Sequence, residues 1–317
     1  GGALSEAASV VLLWFFVCCS AHRGCLALEH LQVTRVLPTG SSNCAFCARM
    51  LKTSIMGSEE IEQMDNILEV RGLKMHFGGV KAVDELSFDV HRHELLGVIG
   101  PNGSGKTTMF NALTGVYKPT DGKVTFNGID ITGKPLDSMV NYGIARTFQN
   151  LRVFKAMTVL DNIMIGNSKN IHTNLFDAAL HTPRYRKYEK ESLEKARELL
   201  SLLGLSRWEN EYVGSIPYGI QKRIEFARAV IVEPQLLLLD EPAAGLNSKE
   251  AEDLMQMILW VKDKKGFTVI LIDHNMKIMM SSAERILVME AGRELAVGLP
   301  KDIQNNPKVI EAYLGGE

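Results

Sequence analysis

The chain has 317 residues, 46% of them hydrophobic, which is enough to form one large or two modest domains with buried cores. Its formal net charge of −2 gives no support for nucleic-acid binding, which usually requires a markedly basic surface. No run of about eighteen apolar residues occurs, so we predict no transmembrane helix.

Cysteine usage divides the chain into an N-terminal extension, residues 1–63, and a folded body, residues 64–317. All five cysteines precede the body: Cys18, Cys19, Cys25, Cys44 and Cys47. The cysteine-free body suits a reducing compartment. The apolar run Val10–Cys19 is too short to span a bilayer and lacks the preceding basic residue of a signal peptide. Cys44 and Cys47 have the spacing of half a zinc site, but no second pair completes it. We therefore expect the extension to be a disordered leader or an artefact of gene prediction.

From Ile67 onward, short apolar runs alternate with helical stretches. Four of these runs have the length of buried strands: Leu95–Ile99, Leu236–Leu239, Val269–Ile272 and Ile286–Met289. Such an alternation predicts an α/β fold with a largely parallel sheet that is buried on both faces. Because such sheets bind ligands at the carboxyl ends of their strands, the residues that follow each run are candidates for function.

A glycine-rich loop of the form G-x-x-x-x-G-K-[ST] follows the first of these runs and precedes a helical stretch. Its residues are Gly100, Pro101, Asn102, Gly103, Ser104, Gly105, Lys106, Thr107 and Thr108. The glycines allow successive backbone N–H groups to turn toward a phosphate, and the lysine adds a positive charge at its oxygens. The Thr107 hydroxyl can bind Mg²⁺. The loop predicts that the chain binds a nucleoside triphosphate.

The character of the sequence changes between residues 151 and 234. Gln149, in the stretch Arg-Thr-Phe-Gln-Asn, lies at this change, where it could contact both Mg²⁺ and whatever the following region touches. Arg184–Leu203 is charged and helical, with one apolar stripe: Leu193, Ala196, Leu199, Leu200 and Leu203. We predict a helical subdomain over about 151–234, inserted into a core formed by about 67–150 and 235–317.

Another predicted helix begins near Tyr218 without a residue that caps its N-terminus. Its apolar stripe is formed by Ile220, Ile224, Ala227 and Ile231, and three basic residues lie off that stripe: Lys222, Arg223 and Arg228. The tip, Pro217–Gly219, lacks the Ser, Thr or Asp that usually accepts hydrogen bonds from the first N–H groups. Uncapped N–H groups and the helix dipole make such a tip suitable for binding an anion.

Two further strand ends carry groups suited to phosphate chemistry. The run Leu236–Leu239 is followed by Asp240, which can hold Mg²⁺ through water, and by Glu241, which can act as general base toward a water molecule. His274 follows the run that ends at Ile272, and it could donate a hydrogen bond to a γ-phosphate. Together with Gln149, these residues are our candidates for catalysis and metal binding.

The order of these motifs along the chain resembles that in the ATP-binding subunits of ABC transporters. The motifs are the phosphate loop, Gln149, the element Pro217–Gln221, Leu-Leu-Asp-Glu-Pro and His274. Within that superfamily, the strings Ala-Arg-Thr-Phe-Gln-Asn-Leu-Arg-Val-Phe and Asn-Asn-Pro-Lys-Val-Ile-Glu-Ala-Tyr-Leu-Gly resemble branched-chain amino-acid importers of the LivG type. The resemblance implies a P-loop NTPase fold with a RecA-like core, and a subunit that hydrolyses ATP with Mg²⁺ to drive import.

The resemblance also implies partners and a location. Two such cassettes, identical or related, pair head to tail and bind two ATP molecules between them. Transmembrane permease subunits hold the pair at the cytoplasmic face of the membrane, and a periplasmic solute-binding protein acts indirectly through them. The solute is chosen by the other subunits, so this sequence does not name it.

Several site residues are implied only by the resemblance, and some depart from the family pattern. Phe77 aligns with the aromatic residue that stacks on adenine. Four residues would contact the partner cassette's ATP: Pro217, Tyr218, Gly219 and Gln221. Pro217 replaces the usual serine and Ile220 the usual glutamine, which predicts a weaker contact. Asn247 replaces an aspartate of the dimer-contacting loop, and His93 stands where glycine is common, for which the sequence gives no physical reason.

Three alternative functions remain open from the sequence. A non-catalytic module in which ATP only drives dimerisation would not need Glu241 and His274. A soluble ABC protein of DNA repair or translation usually carries two cassettes or a long coiled coil, and this chain has neither. The ATPase of a lipid or lipopolysaccharide exporter uses a similar single cassette, and only the Arg-Thr-Phe-Gln-Asn and C-terminal strings count against it.

Overall fold

The structure is a computed structural model that describes residues 66–148, 151–167, 180 and 182–314. The predicted extension and Gln149 lie outside the described residues. The strands are β1 (Asn66–Phe77), β2 (Val80–His91), β3 (Leu95–Ile99), β4 (Asp121–Phe126), β5 (Ile129–Asp130), β6 (Ile144–Arg146), β7 (Leu236–Asp240), β8 (Thr268–Ile272), β9 (Arg285–Glu290) and β10 (Arg293–Gly298). The helices are α1 (Lys106–Leu113), α2 (Leu136–Tyr142), α3 (Val159–Gly166), α4 (Pro183–Leu202), α5 (Tyr218–Val230), α6 (Ser248–Lys265), α7 (Met276–Ser282), α8 (Pro300–Gln304) and α9 (Pro307–Leu314).

The central feature is a six-stranded sheet with the strand order β10-β9-β3-β8-β7-β6. The strands from β9 to β6 run parallel, and only β10 is antiparallel, at one edge. The four predicted strands are confirmed as β3, β7, β8 and β9. Because neighbouring parallel strands end at the same edge, the residues that follow β3, β7 and β8 come together there.

Alternate residues of the buried strands pack into two different hydrophobic clusters. In β7, Leu236 and Leu238 pack against the face that holds α1 and the second sheet, whereas Leu237 and Leu239 pack against α3, α5 and α6 on the other face. All five residues of β7 are buried. This confirms the prediction of burial on both faces, and each such side chain contributes about 1.5–3 kcal/mol to folding.

A second sheet of four antiparallel strands, in the order β2-β1-β4-β5, was not anticipated from the sequence. Its strands β1 and β2 are twelve residues long and alternate buried with less buried positions, as expected for a sheet with one covered face. Several register shifts interrupt the pairing of β1 with β2. Period-two alternation was therefore harder to recognise here than the continuous apolar runs of the central sheet.

The helices α3, α4 and α5 lie between β6 and β7 in the chain and pack together through one cluster of buried residues. Thr158 and Thr182 cap α3 and α4, each accepting a hydrogen bond from a backbone N–H in the first turn. The predicted stripe of α4 is buried at Ala196, Leu199 and Leu200. None of the helices in the described ranges is long and apolar enough to cross a membrane.

His93 stands where glycine is common in the resembled family, and the backbone conformation explains that preference. His93 has a φ of 64°, in the left-handed region, where any residue with a Cβ is strained by about 1–2 kcal/mol. The conformation forms the tight connection into β3, and the His93 N–H donates to the Thr268 hydroxyl at 2.8 Å. Glycine adopts this backbone without strain.

We therefore expect His93→Gly to raise the free energy of unfolding by about 1 kcal/mol relative to His93→Ala. The alanine variant removes the same imidazole but keeps the strained Cβ, so the difference between the two isolates the backbone contribution. Urea denaturation followed by circular dichroism measures both. Equal stability of the two variants would show that the left-handed conformation costs nothing here.

Asp84 links β2 to the turn between β9 and β10. Its carboxylate accepts from Arg293 at 2.6 Å, and its N–H donates to Gly292 O at 2.8 Å. The hydrogen bond from Arg293 lowers the pKa of Asp84 from 3.8 to about 2. A carboxyl whose pKa is depressed on folding stabilises the protein above its ordinary pKa, and this contribution is lost as the pH falls from about 4 to about 2.

The stability difference between the wild type and Asp84→Asn should accordingly shrink as the pH falls from 5 to 3. Arg293→Gln removes the main partner and should reduce the same pH-dependent difference, while Lys81 and His76 still face the carboxylate at 3.5 and 3.4 Å. Chemical denaturation at several pH values provides the measurement. A difference that stays constant over this range would show that the ion pair does not form in solution.

Candidate active site

The loop between β3 and α1 is shaped by glycines that no other residue can replace. Gly100 has a φ of 153°, and a Cβ there would lie 2.1 Å from the Met289 carbonyl oxygen. Gly105 has a φ of 98°, and a Cβ there would lie 2.3 Å from the Ala82 carbonyl oxygen. A Cβ at Gly103 would meet nothing within 4 Å, so this part of the loop faces open space. The loop is thus pressed against the fold on one side and free on the other.

Lys106 begins α1 and directs its ammonium group back over the loop. Its Nζ donates to Gly100 O at 2.7 Å, to Pro101 O at 2.9 Å and to Ser104 Oγ at 3.3 Å. The side chain is buried, and this desolvation lowers the pKa of Lys106, while Glu241 and Asp240 oppose the shift. All three hydrogen-bond partners are uncharged oxygens, so a polyphosphate would give the ammonium a charged partner.

Asp240 is the last residue of β7, and it is almost fully buried beside an arginine. Its Oδ2 accepts from Arg146 Nη2 at 2.9 Å, with side-chain exposures of 1% for the aspartate and 4% for the arginine. Burial raises the pKa of Asp240, and the guanidinium acts in the opposite direction. Its other oxygen, Oδ1, has no hydrogen-bond partner among the described residues. Arg146 therefore holds Oδ2, whereas Oδ1 is available to a ligand.

Glu241 and His274 follow neighbouring strands and contact each other. His274 Nε2 lies 2.7 Å from Glu241 Oε1, and the two side chains are 48% and 15% exposed. Glu241 has a φ of 49°, which is strained for a non-glycine residue, and its N–H donates to Ile272 O at 2.8 Å. Strained backbone of this kind is common in active sites, where it aims a side chain. The sheet edge thus brings Lys106, Asp240, Glu241 and His274 into one site.

The donor set of this site fits Mg²⁺. The ion prefers oxygen ligands and keeps several waters, so that proteins hold it through one or two side chains together with substrate phosphates. Thr107 supplies an exposed hydroxyl at the start of α1, and Asp240 supplies a buried carboxylate oxygen without a protein donor. Such an orphaned oxygen is expected where an ion or its water completes the site.

Phe77, the candidate for stacking on a base, lies at the end of β1 beside Tyr117. The two ring centroids are 5.4 Å apart with an interplanar angle of 79°, and the side chains are 45% and 42% exposed. An exposed aromatic pair is well suited to accept a planar ring. Tyr117 could not be predicted from the sequence, since a single aromatic residue outside a helix or strand carries no recognisable signal.

The segments on either side of Gln149 are anchored to different parts of the fold. Before it, Arg146 contacts Asp240 in the sheet. After it, the Arg152 N–H donates to Glu225 Oε1 at 3.1 Å, and Arg228 of α5 donates to the Arg152 carbonyl. The described segments that end at Phe148 and begin at Leu151 are thus anchored to the sheet and to α5, respectively.

Helix α5 begins at Tyr218, directly after Pro217, and no side chain caps it. This confirms the predicted uncapped tip. The Tyr218 hydroxyl donates to Ala244 O at 3.4 Å, and its ring lies against Gly245. Within the described residues, no hydrogen bond joins the tip to the phosphate loop of the same chain. The tip thus contacts the 244–245 loop, and it does not contribute to the phosphate-binding loop around Lys106 of the same chain.

The neighbouring polar residues of α5 point inward. Gln221 is 9% exposed, and its Nε2 donates to Ile216 O at 2.7 Å, so its amide braces the turn before the helix. Lys222, predicted to lie off the apolar stripe, is 3% exposed, and its ammonium lies 3.7 Å from the carboxylate of Glu225. Helix α5 is therefore buried on more of its surface than the predicted apolar stripe alone.

Asn247, which departs from the family's aspartate, caps helix α6. Glu250 N–H donates to Asn247 Oδ1 at 2.9 Å, and Asn247 N–H donates to Glu250 Oε2 at 3.2 Å. This reciprocal capping box is formed as readily by asparagine as by aspartate. The substitution therefore preserves the local structure of the loop.

Arg146 is a site residue that the sequence did not predict. It belongs to the Arg-Thr-Phe-Gln-Asn stretch, in which only the glutamine is a predicted site residue. The available signal was a basic residue at the end of a short apolar run, Ile144–Ala145, because a charge in a buried strand needs a buried partner.

Comparisons with known proteins agree with the motif order. A family model described as ABC transporter matches residues 83–244, and one described as Branched-chain amino acid ATP-binding cassette transporter matches residues 293–317. The high-affinity branched-chain amino acid transport ATP-binding protein LivG of Salmonella typhimurium is 43% identical over 249 residues, covering 78% of this chain and 98% of that protein. The corresponding BraF of Pseudomonas aeruginosa is 43% identical with the same coverage.

Solved structures share the fold over a similar span. A nucleotide-free ATP-binding cassette from an ABC transporter gives a TM-score of 0.69 at 34% identity, covering 78% of this chain and 98% of the other. An ATP-binding cassette of an ABC transporter in its ADP conformation gives 0.70 at 35% identity, covering 80% and 99%. The region matched by the first family model contains the phosphate loop, helix α5 and the Asp240–Glu241 pair.

Proposed function

The chain belongs to the ABC transporter family of ATP-binding cassettes, and on this premise we propose that it is the ATP-hydrolysing subunit of an importer for branched-chain or related amino acids. The observation that carries the proposal is the contact between Glu241 and His274 at 2.7 Å, beside a phosphate loop and a buried Asp240. The assignment of the solute class is supported by the names of the LivG and BraF relatives and by the second family model.

We propose that ATP binds with its phosphates in the 100–108 loop, where backbone N–H groups and Lys106 Nζ bind the phosphate oxygens. Its adenine would stack on Phe77. Mg²⁺, when bound, neutralises charge on the phosphates, and Thr107, Asp240 and Gln149 are the residues proposed to hold it. Stacking accepts any base, so this site specifies ATP over GTP only weakly.

Glu241 is proposed as the general base that accepts a proton from the attacking water. A positioned carboxylate of this kind contributes roughly 10²–10⁴-fold to a rate. His274 is proposed to donate a hydrogen bond to the γ-phosphate, and in the present geometry its imidazole contacts the base directly. The strained backbone at Glu241 and the contact with His274 both restrict where the carboxylate can point.

Two cassettes are proposed to pair head to tail, and the tip of α5 in one would bind the γ-phosphate in the other. Pro217 has no N–H and no hydroxyl, and the Ile220 N–H donates to Pro217 O at 3.0 Å, so the donors that remain at the tip are the N–H groups of Tyr218 and Gly219. The lost hydrogen bond to a charged group costs about 1.5–3 kcal/mol. We therefore propose a contact that is weaker than in cassettes with the usual serine, with a correspondingly lower turnover.

Helices α3, α4 and α5 are proposed to form a subdomain, about residues 151–234, that transmits the closure of the dimer to permease subunits. A groove of about 290 Å³ between α2 and α5, lined by Leu136, Val140, Phe148 and Val232, supports a docking site for them. Docking would hold the chain at the cytoplasmic face of the membrane, and a periplasmic solute-binding protein would act only through the permease.

We expect Glu241→Gln to lower ATP hydrolysis at least 100-fold, because the amide cannot accept the proton, and to leave ATP affinity within about threefold. Phosphate release and the fluorescence of a labelled ATP analogue measure the two quantities. Glu252→Gln, on the exposed face of α6, is the matched control and should behave like the wild type. Unchanged hydrolysis in Glu241→Gln would remove this residue from the mechanism.

The Glu241→Gln protein should also dimerise with Mg·ATP and remain monomeric with Mg·ADP, since only ATP supplies the γ-phosphate that the partner tip binds. Light scattering would then report about twice the monomer mass of 35.1 kDa. Gly219→Asp places a negative charge at the tip, with room for its Cβ, and should abolish the dimer. A monomer with ATP in the presence and absence of permease subunits would refute head-to-tail pairing.

A further inference from the structure

Arg146 is a buried cation that neither the phosphate-binding loop nor the proposed hydrolysis step uses. It is the last residue of β6, and it pairs with Leu238 in the parallel register between β6 and β7. Asp240 lies two residues further along β7 and therefore on the same face of the sheet. The register alone places the arginine beside the aspartate.

The guanidinium joins the aspartate to the helix that continues the phosphate loop. One arm, Nη2, donates to Asp240 Oδ2 at 2.9 Å. The other arm, Nη1, donates to Asn111 Oδ1 at 2.8 Å and to Thr114 Oγ1 at 3.0 Å, at the end of α1. Arg146 thus connects β6, β7 and α1 through a single planar group.

Aromatic rings hold this group in place. The Arg146 Cζ lies 5.5 Å from the centroid of the Phe110 ring and 5.1 Å from that of Phe148. The rings exclude water from the pair, and the side chains of Arg146 and Asp240 are 4% and 1% exposed. The guanidinium therefore has little freedom to leave the carboxylate.

The pairing decides which oxygen of Asp240 remains available. Oδ2 is taken by the arginine, whereas Oδ1 has no hydrogen-bond partner among the described residues. A guanidinium fork can bind the carboxylate and α1 at once, whereas a lysine ammonium has a single nitrogen and a different reach. The geometry requires arginine if both contacts are to be made.

We propose that Arg146 is a positioning residue for the metal-binding carboxylate: it holds Asp240 against helix α1 so that Oδ1 is presented to Mg²⁺. The proposal rests on the proposed function, which assigns Mg²⁺ to Asp240. Partners that orient a ligand in this way typically change metal affinity by about 10- to 100-fold when they are altered. Because Arg146 precedes Gln149 by three residues, it also ties the strand that leads to Gln149 to the metal-binding carboxylate.

The test compares Arg146→Lys with the wild type, using Mn²⁺ as the probe and ADP as the nucleotide. Electron paramagnetic resonance measures Mn²⁺ bound in the presence of ADP, and a fluorescent ADP analogue measures nucleotide affinity in EDTA. We expect Mn²⁺ to bind at least tenfold more weakly, with nucleotide affinity in EDTA within twofold. Arg152→Lys is the matched control, because Arg152 stacks on the same Phe148 ring at 4.0 Å and makes no ion pair with Asp240.

The outcomes separate the positioning role from a structural one and from the proposed function. If Arg146→Lys folds and binds Mn²⁺ within twofold of the wild type, the positioning role is overturned, even if the variant is less stable. If the wild type itself binds no Mn²⁺ with ADP, the metal assignment of the proposed function fails instead.

A second variant decides the question if Arg146→Lys does not fold. The double substitution Asn111→Ala and Thr114→Ala keeps the ion pair but releases the guanidinium from α1. We expect it to weaken Mn²⁺ binding at least threefold, with nucleotide affinity in EDTA unchanged. Mn²⁺ affinity equal to that of the wild type in this variant would refute the proposal.

Discussion

The compensation of buried charge at the carboxyl edge of the parallel sheet is the constraint on which the site depends. Desolvation raises the pKa values of Asp240 and Asp273 and lowers the pKa of Lys106, so each charge needs a partner to remain ionised. Asp240 has Arg146, and the ammonium of Lys106 has the oxygens of its own loop. A buried ion pair adds little net stability compared with apolar residues of the same volume. Its effect here is to fix positions.

The stability that such a site requires comes from the two faces of the central sheet. Alternate residues of β7 and β8 pack into separate hydrophobic clusters, so the strand ends cannot shift without disturbing both. One side of the phosphate loop packs against backbone. The carbonyls of Met289 and Ala82 occupy the space that a Cβ at Gly100 or Gly105 would need. Close packing on one side of the loop and open space on the other are the two conditions for binding a phosphate through backbone N–H groups.

The sequence was sufficient for those parts of the fold that local chemistry dictates. Continuous apolar runs identified β3, β7, β8 and β9, and the loop after β3 and the acids after β7 could be recognised because each needs specific residue types at fixed spacing. The antiparallel sheet, Tyr117 and the role of Arg146 depend on pairings between distant segments, such as Arg146 with Asp240, which no local pattern encodes. His93 is an intermediate case, because the unusual residue was noticed but its left-handed backbone became apparent only from φ.

The tip of α5 departs from the family pattern and makes different contacts within its own chain. Pro217 removes a donor, but its fixed φ suits the residue that precedes a helix, and it lowers the entropy lost when the tip becomes ordered. Tyr218 is larger than the usual glycine, and its ring packs on Gly245 while its hydroxyl reaches the Ala244 carbonyl. The tip and the 243–247 loop are thereby joined within one chain, and Asn247 anchors that loop to α6. Both elements belong to the surface that the proposed pairing would bring against a second cassette. These contacts lie within one chain, and they do not replace the donor that Pro217 lacks.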